Sequence, residues 1–261
     1  MNVLVRRHGW AAAALAVSLL TSRASAQKSA EAKDVPLPDA KELIAKYNKA
    51  VGGDVWKSHK SAKMKATLEV PTQGLKADIE AMNIFATKNY MMKTDLPGMG
   101  QMLVGYDGTT GWARDPVSGA RVLSGQEAAQ AAEEADPEAT LRTSSNIVKS
   151  ETVEKTNMNG QDCFKVTHTW KSGRVSHDCF ALSSGLIVAS IQKQTSPMGE
   201  MEVTSFLEDY KDFGGVKRAS VSRVQMMGTE IKTTVTAFEW DTVKPEDMEP
   251  PADIKALLKK G

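Results

Sequence analysis

A period of two limits this chain more than any other feature. Ala62, Met64, Ala66, Leu68 and Val70 alternate with Lys63, Lys65, Thr67 and Glu69, the pattern of a strand with one buried and one wet face. Pro71 ends the run, and after Thr72-Gln73-Gly74 the alternation resumes at Leu75, Ala77, Ile79 and Ala81. The apolar phase then slips to Met82, Ile84 and Ala86, which predicts a bulge or bend near Ala81. Further strands fit Tyr90 to Asp95, Gln101 to Tyr106 and Gly111 to Asp115. From Thr152 to Trp240 hairpin follows hairpin, with turns at Asn159-Gly160, Ser172-Gly173, Ser183-Ser184-Gly185, Pro197-Met198-Gly199, Gly214-Gly215 and Gly228.

Helical patterns interrupt this meander in three places. Asp39 suits the N-cap of a helix running through Val51, with Leu43, Ile44, Tyr47 and Val51 on one face and Gly52-Gly53 as its stop. Asp54 can cap a second short turn carrying Val55 and Trp56. Residues 124–150 read as a helical insertion: Ser124-Gly125-Gln126-Glu127 has the capping-box form, and Asp136-Pro137 restarts a second segment. A loop from Pro245 to Pro251 and a short helix from Ala252 to Lys260 close the chain. The fold class expected is mainly β with α. One antiparallel sheet of more than roughly ten strands curls instead of staying open. It would form a half-barrel covered by the helical lid and the N-terminal helix.

The first residues point to export. Arg6 and Arg7 precede an apolar run from Trp10 to Leu20, and Ala24-Ser25-Ala26 has the small-x-small form of a cleavage site. The run is shorter than the ~20 apolar residues that cross a bilayer. The expected organisation is a signal peptide over 1–26, a flexible lead-in over 27–38, and one domain over 39–261. The mature protein would be periplasmic or secreted, without stable membrane insertion. Cleavage after Ala26 would remove three of the 33 basic residues and no acid, leaving 30 against 32 acidic ones. Such a balance carries no electrostatic footprint for nucleic acid.

In an oxidising compartment the two cysteines, Cys163 and Cys179, suggest a disulfide. A turn at Trp170-Lys171-Ser172 that pairs Thr169 with Gly173 would set Cys163 directly opposite Cys179. The alternative is zinc, since His168 and His177 lie in the same hairpin. Strand parity sends His168 to the other face, however, leaving three ligands where a structural site needs four.

Catalytic templates are missing: no G-x-S-x-G, H-E-x-x-H, Gly-rich phosphate loop or C-x-x-C occurs. Carboxylates such as Asp107, Asp115, Asp162 and Asp178 read as turn and surface chemistry, so nothing nominates an active site, and no cofactor or metal is implied. Methionine is the unusual signal: twelve of the thirteen lie beyond the signal segment, most of them in or beside strands. Flexible thioethers re-pack around variable apolar ligands, and a curled sheet has a concave face that they could line.

Three stretches resemble the LolA/LolB-like superfamily of periplasmic lipoprotein carriers. Glu42-Leu43-Ile44-Ala45-Lys46-Tyr47 through Gly52-Gly53 is similar to the helix before its first strand. Tyr106-Asp107-Gly108-Thr109-Thr110-Gly111-Trp112 resembles its D-G-x-x-x-W hairpin. Phe206 to Gly215, followed by Val216-Lys217, is similar to its late strands. The resemblance implies an antiparallel half-barrel closed by helices around an apolar cavity that shelters acyl chains. The arginine-bearing stretch of the lipoprotein carriers has no counterpart, since the region reads Lys88-Asn89-Tyr90-Met91-Met92-Lys93.

The expectation is a non-catalytic carrier for a lipid or the acyl chain of a lipoprotein. The expected cavity lining is Met64, Leu68, Ile79, Met82 and Ile84 from the first hairpin, with Met102, Val104, Trp112, Phe164 and Val166 from later strands. The alternative is a non-catalytic cell-envelope interaction module with a self-filled core and a protein partner.

Overall fold

The computed structural model describes residues 36–196, 199–226 and 228–259. The expected signal peptide, residues 27–35 of the lead-in, the Pro197-Met198 pair, Met227, Lys260 and Gly261 lie outside the described residues. The strands in chain order are β1 (Ser61–Val70), β2 (Leu75–Ile84), β3 (Asn89–Leu96), β4 (Gly100–Asp107), β5 (Gly111–Asp115), β6 (Gly119–Val122), β7 (Ile147–Met158), β8 (Gln161–Trp170), β9 (Val175–Ala181), β10 (Ile187–Ser196), β11 (Gly199–Phe213), β12 (Val216–Met226) and β13 (Thr229–Trp240). They form one antiparallel sheet in the order β6-β5-β4-β3-β2-β1-β13-β12-β11-β10-β9-β8-β7. Two meanders therefore run outward from a central pair, β1 and β13. The edge strands β6 and β7 are consecutive in the chain, so the segment joining them must pass from one edge to the other.

That segment carries α3 (Gly125–Glu134) and α4 (Pro137–Thr140); α1 (Ala40–Val51), α2 (Gly53–Ser58) and α5 (Ala252–Leu258) complete the helices. The ten-residue α3 touches β4 and β5 near one edge and β10 toward the other. Such a helix is ~15 Å long, whereas the seven strand spacings from β4 to β10 laid flat would measure ~34 Å. The sheet therefore curls toward α3, as an open half-barrel with α1 to α4 on its inner face.

Helix α1 begins where its sequence signals place it. The Asp39 carboxylate accepts from the Lys41 N–H at 2.7 Å, and Gly52 ends the helix in the left-handed conformation, φ 76°. A Cβ on Gly52 would lie 2.2 Å from the Gly215 carbonyl oxygen, so glycine also lets this junction press on the β11–β12 turn. The helix buries Leu43, Ile44, Tyr47 and Val51 against Val166, Phe180, Ile187 and Val216 of the inner face.

A second core lies on the outer face. Met82, Met91, Leu103 and Trp112 are buried there beneath Met248 and Ile254, with Ile84 and Leu258 at the margin. This explains the phase slip at Ala81. The β1–β2 register runs unbroken from Ser61↔Ile84 to Val70↔Leu75, so the expected bulge is absent. Ala81 is buried inward and Met82 outward, because α5 covers a stretch of β2 that would otherwise face water.

Other expectations also shift. The helical insertion is shorter than 124–150, since β7 already begins at Ile147. Ser124 makes no side-chain cap bond; Glu127 instead accepts a two-pronged bond from Arg121, at 2.6 and 2.7 Å. Strand β6 follows Asp115 without having been expected. The Cys163–Cys179 disulfide is present, with Cα atoms 5.4 Å apart. Its cysteines are diagonal instead of opposite: Cys163 faces Ala181, and Lys165 faces Cys179. The cause is Gly173, whose left-handed φ of 84° belongs in the loop, so the strands close with Trp170 bonded to Arg174.

Candidate functional site

Small residues on the inner face leave room under the helices. Ala62 and Ala81 lie on β1 and β2, and Ser220 and Ser222 on β12; above them sit Tyr47, Val51 and Trp56 of α1 and α2. Two adjoining lobes result. One, of about 280 Å³, is walled by Tyr47, Val51, Leu141, Ile187, Leu207 and Val216. The other, of about 230 Å³, runs beneath α4 between Phe85, Met92, Pro137 and Phe238. Trp56, Met64, Thr140 and Arg218 line both. Ligand pockets usually measure roughly 300–1,000 Å³, and the two lobes taken together fall in that range. A separate hollow of about 520 Å³ lies beside α3, with Gln126, Arg174, His177 and Glu202 among its lining residues.

The insertion closes over these lobes and is clasped by charge. Arg142, directly after α4, has φ 59° and forms a two-pronged ion pair with the buried Asp178 of β9, its Nη2 donating to Oδ1 at 3.1 Å. The Ser190 hydroxyl donates to the same carboxylate, and His168 Nε2 lies 3.1 Å from it. Burial alone would raise the Asp178 pKa. The Arg142 charge and its hydrogen bonds, with the His168 ring beside the carboxylate, outweigh it and hold the carboxyl far below its ordinary range. Two further pairs tie the lid down: Lys88 Nζ to Asp136 Oδ2, and Arg174 Nε to Glu133 Oε2, both at 3.2 Å.

Arg218 differs from these cations. Its guanidinium lies 5.1 Å from the Trp56 ring and 4.9 Å from the Phe238 ring. Among the described residues it makes no ion pair and no side-chain hydrogen bond. Burial lowers its pKa, opposed only by the phenols of Tyr47 and Tyr210. A guanidinium nonetheless stays charged.

The expected lining residues divide by face. Met64 is in the wall of both lobes. Leu68, Ile79, Met102 and Val104 share its face by register, although Met102 is 39% exposed. Phe164 and Val166 are inward too, but pack in the core beneath α1. Met82, Ile84 and Trp112 lie on the other side of the sheet, under α5, so they are not part of this cavity. Nor do thioethers dominate it, since only Met64 and Met92 reach it among the described residues. Sequence reading missed Trp56, Tyr47, Leu207, Val235 and Arg218. For Arg218 a signal exists: it shares strand parity with the buried Val216 and Ser220, which places a charge at an inward position.

No group of three or more His, Cys, Asp or Glu is disposed to hold a metal ion, and no helix is long and apolar enough to cross a membrane, among the described residues. No family model matches the chain, and no curated protein matches it by sequence. By structure, a DUF1329 family protein from Desulfovibrio piger aligns over 82% of this chain and 98% of its own, with TM-score 0.56 and 12% identity. A LolA superfamily protein from Nitrosomonas europaea aligns over 82% and 99%, with TM-score 0.54 and 12% identity. The chain has the LolA-like fold: a curled antiparallel sheet with helices on its inner face.

Proposed function

From the premise of a LolA-like fold, we propose that this chain is a non-catalytic binding or carrier protein of the cell envelope that takes up the acyl chain of a lipid or lipoprotein. The observation that carries the reading is the two-lobed space between the curled sheet and its lid, apolar in its larger lobe, with Met64 at the junction. Transfer of an acyl chain from water to such walls gains ~25 cal/mol per Å² of apolar surface removed. The short apolar run of residues 10–20 and its Ala24-Ser25-Ala26 ending support export to the periplasm.

Native mass spectrometry of protein purified from a periplasmic extract tests this. The expected result is a mass increment matching a lipid, exchangeable with added fatty acid. Met64→Trp, which puts an indole where the lobes meet, should abolish exchange while the circular-dichroism spectrum is kept. A chain that carries no lipid and exchanges none would instead favour the interaction-module reading, with a protein partner recovered by crosslinking.

A further inference from the structure

Arg142, Lys217 and Arg218 line the larger lobe, and no acidic side chain does so among the described residues. Arg142 is neutralised by Asp178, and Lys217 is exposed. Arg218 is left, half-buried at the junction of the two lobes, with aromatic faces beside it but no counter-charge. The smaller lobe does contain Asp136 and Glu134, yet both are engaged elsewhere. Asp136 accepts from Lys88 at 3.2 Å and from Ser144 at 2.8 Å. Glu134 accepts from Gln130 at 2.8 Å.

Ring faces offset part of the cost of drawing a cation away from water, and a half-buried guanidinium with no counter-charge gains by pairing with an anion. The guanidinium fork matches a carboxylate or phosphate with two parallel bonds. Polar groups stand near it on the same strand face: Ser220 and Ser222 follow Arg218 at a spacing of two, and Thr233 pairs with Ser222. The apolar wall of Val51, Leu141, Ile187 and Leu207 begins beyond them. The cavity is thus amphipathic, with one positive point and greasy walls.

We propose that Arg218 anchors an anionic head group, so that the cavity selects acyl chains ending in a carboxylate or phosphate over neutral chains of the same length. This rests on the carrier reading above. The head-group oxygens take the fork of Arg218, and the chain lies along the larger lobe.

The test is displacement of a fluorescent fatty acid from the full mature chain by palmitate, methyl palmitate, hexadecyl phosphate, hexadecanol and inorganic phosphate. Wild-type protein should prefer the two charged chains over the two neutral ones by about tenfold or more, as expected for a charge-assisted hydrogen bond. Arg218→Met should lose that preference while keeping its affinity for hexadecanol. Arg218→Lys, a point charge without the fork, should keep part of it. Equal binding of acid and ester by wild-type protein would overturn the head-group assignment and leave the carrier reading standing. No displacement by any amphiphile would remove both. Displacement by inorganic phosphate at the concentration that hexadecyl phosphate needs would mark a site for free anions and overturn the assignment as well. The wild-type comparison decides the matter even where a variant fails to fold.

Discussion

Trp112 owes its place to the absence of a side chain at Gly105. The two residues face each other across β4 and β5, and a Cβ on Gly105 would fall 2.2 Å from the indole Cζ2. Trp112 is 1% exposed, packed with Met82 and Ile254, so it has nowhere to retreat. Gly105→Ala is therefore expected to destabilise the protein by about 2–3 kcal/mol, the cost of overpacking a filled core. A thermal melt followed by tryptophan fluorescence reads this; an unchanged melting temperature would show that the outer core yields easily. The D-G-x-x-x-W pattern was visible in the chain, but which face its tryptophan took was not. Strand parity separates two faces without telling which one a helix will cover.

Helix α5 supplies the cover on that side. Its Ile254 is 0% exposed, and with Met248 it roofs Met82, Met91 and Leu103. Removing those methyls by Ile254→Ala should cost about 2–4 kcal/mol through lost burial and the cavity left behind. The loss should be local at first, seen as faster hydrogen exchange in β5 and β6, which α5 contacts. Uniform exchange across the sheet would mean that α5 does not act as a separate lid on the outer face. Here period-two reading reached its limit: β2 is buried on both faces at Ala81 and Met82. A doubly covered strand loses clean alternation, so apolar continuity on β2 resembled a slipped phase. By contrast, α1 followed its local code, from the Asp39 cap to the Gly52 stop, because capping and left-handed glycine act within a few residues.

Over the molecule as a whole, the lid is held to the sheet by Arg142 on Asp178, with Lys88 on Asp136 and Arg174 on Glu133 beside it. Asp178→Asn leaves Arg142 without its counter-charge and is expected to cost about 3–5 kcal/mol, the usual result of halving a buried pair. It should also speed lipid exchange. The pH dependence has a definite sign. A carboxyl whose folded pKa is depressed contributes stability in full above its unfolded value of about 3.9 and loses it as pH falls toward the folded pKa. The gap in melting temperature between wild type and Asp178→Asn should therefore stay level from neutrality to about pH 5 and narrow below pH 4. A gap that already narrows between pH 7 and 6 would show that another group controls the clasp. Strand content, turns, the N-terminal helix and the two cysteines could be read from the linear chain, because they depend on neighbours in sequence. The disulfide's diagonal register, the outer core under α5, the clasp on Asp178 and the aromatic-flanked Arg218 could not. Each depends on which distant surfaces a thirteen-stranded sheet brings together when it curls, and that is set by packing across the sheet instead of along the chain.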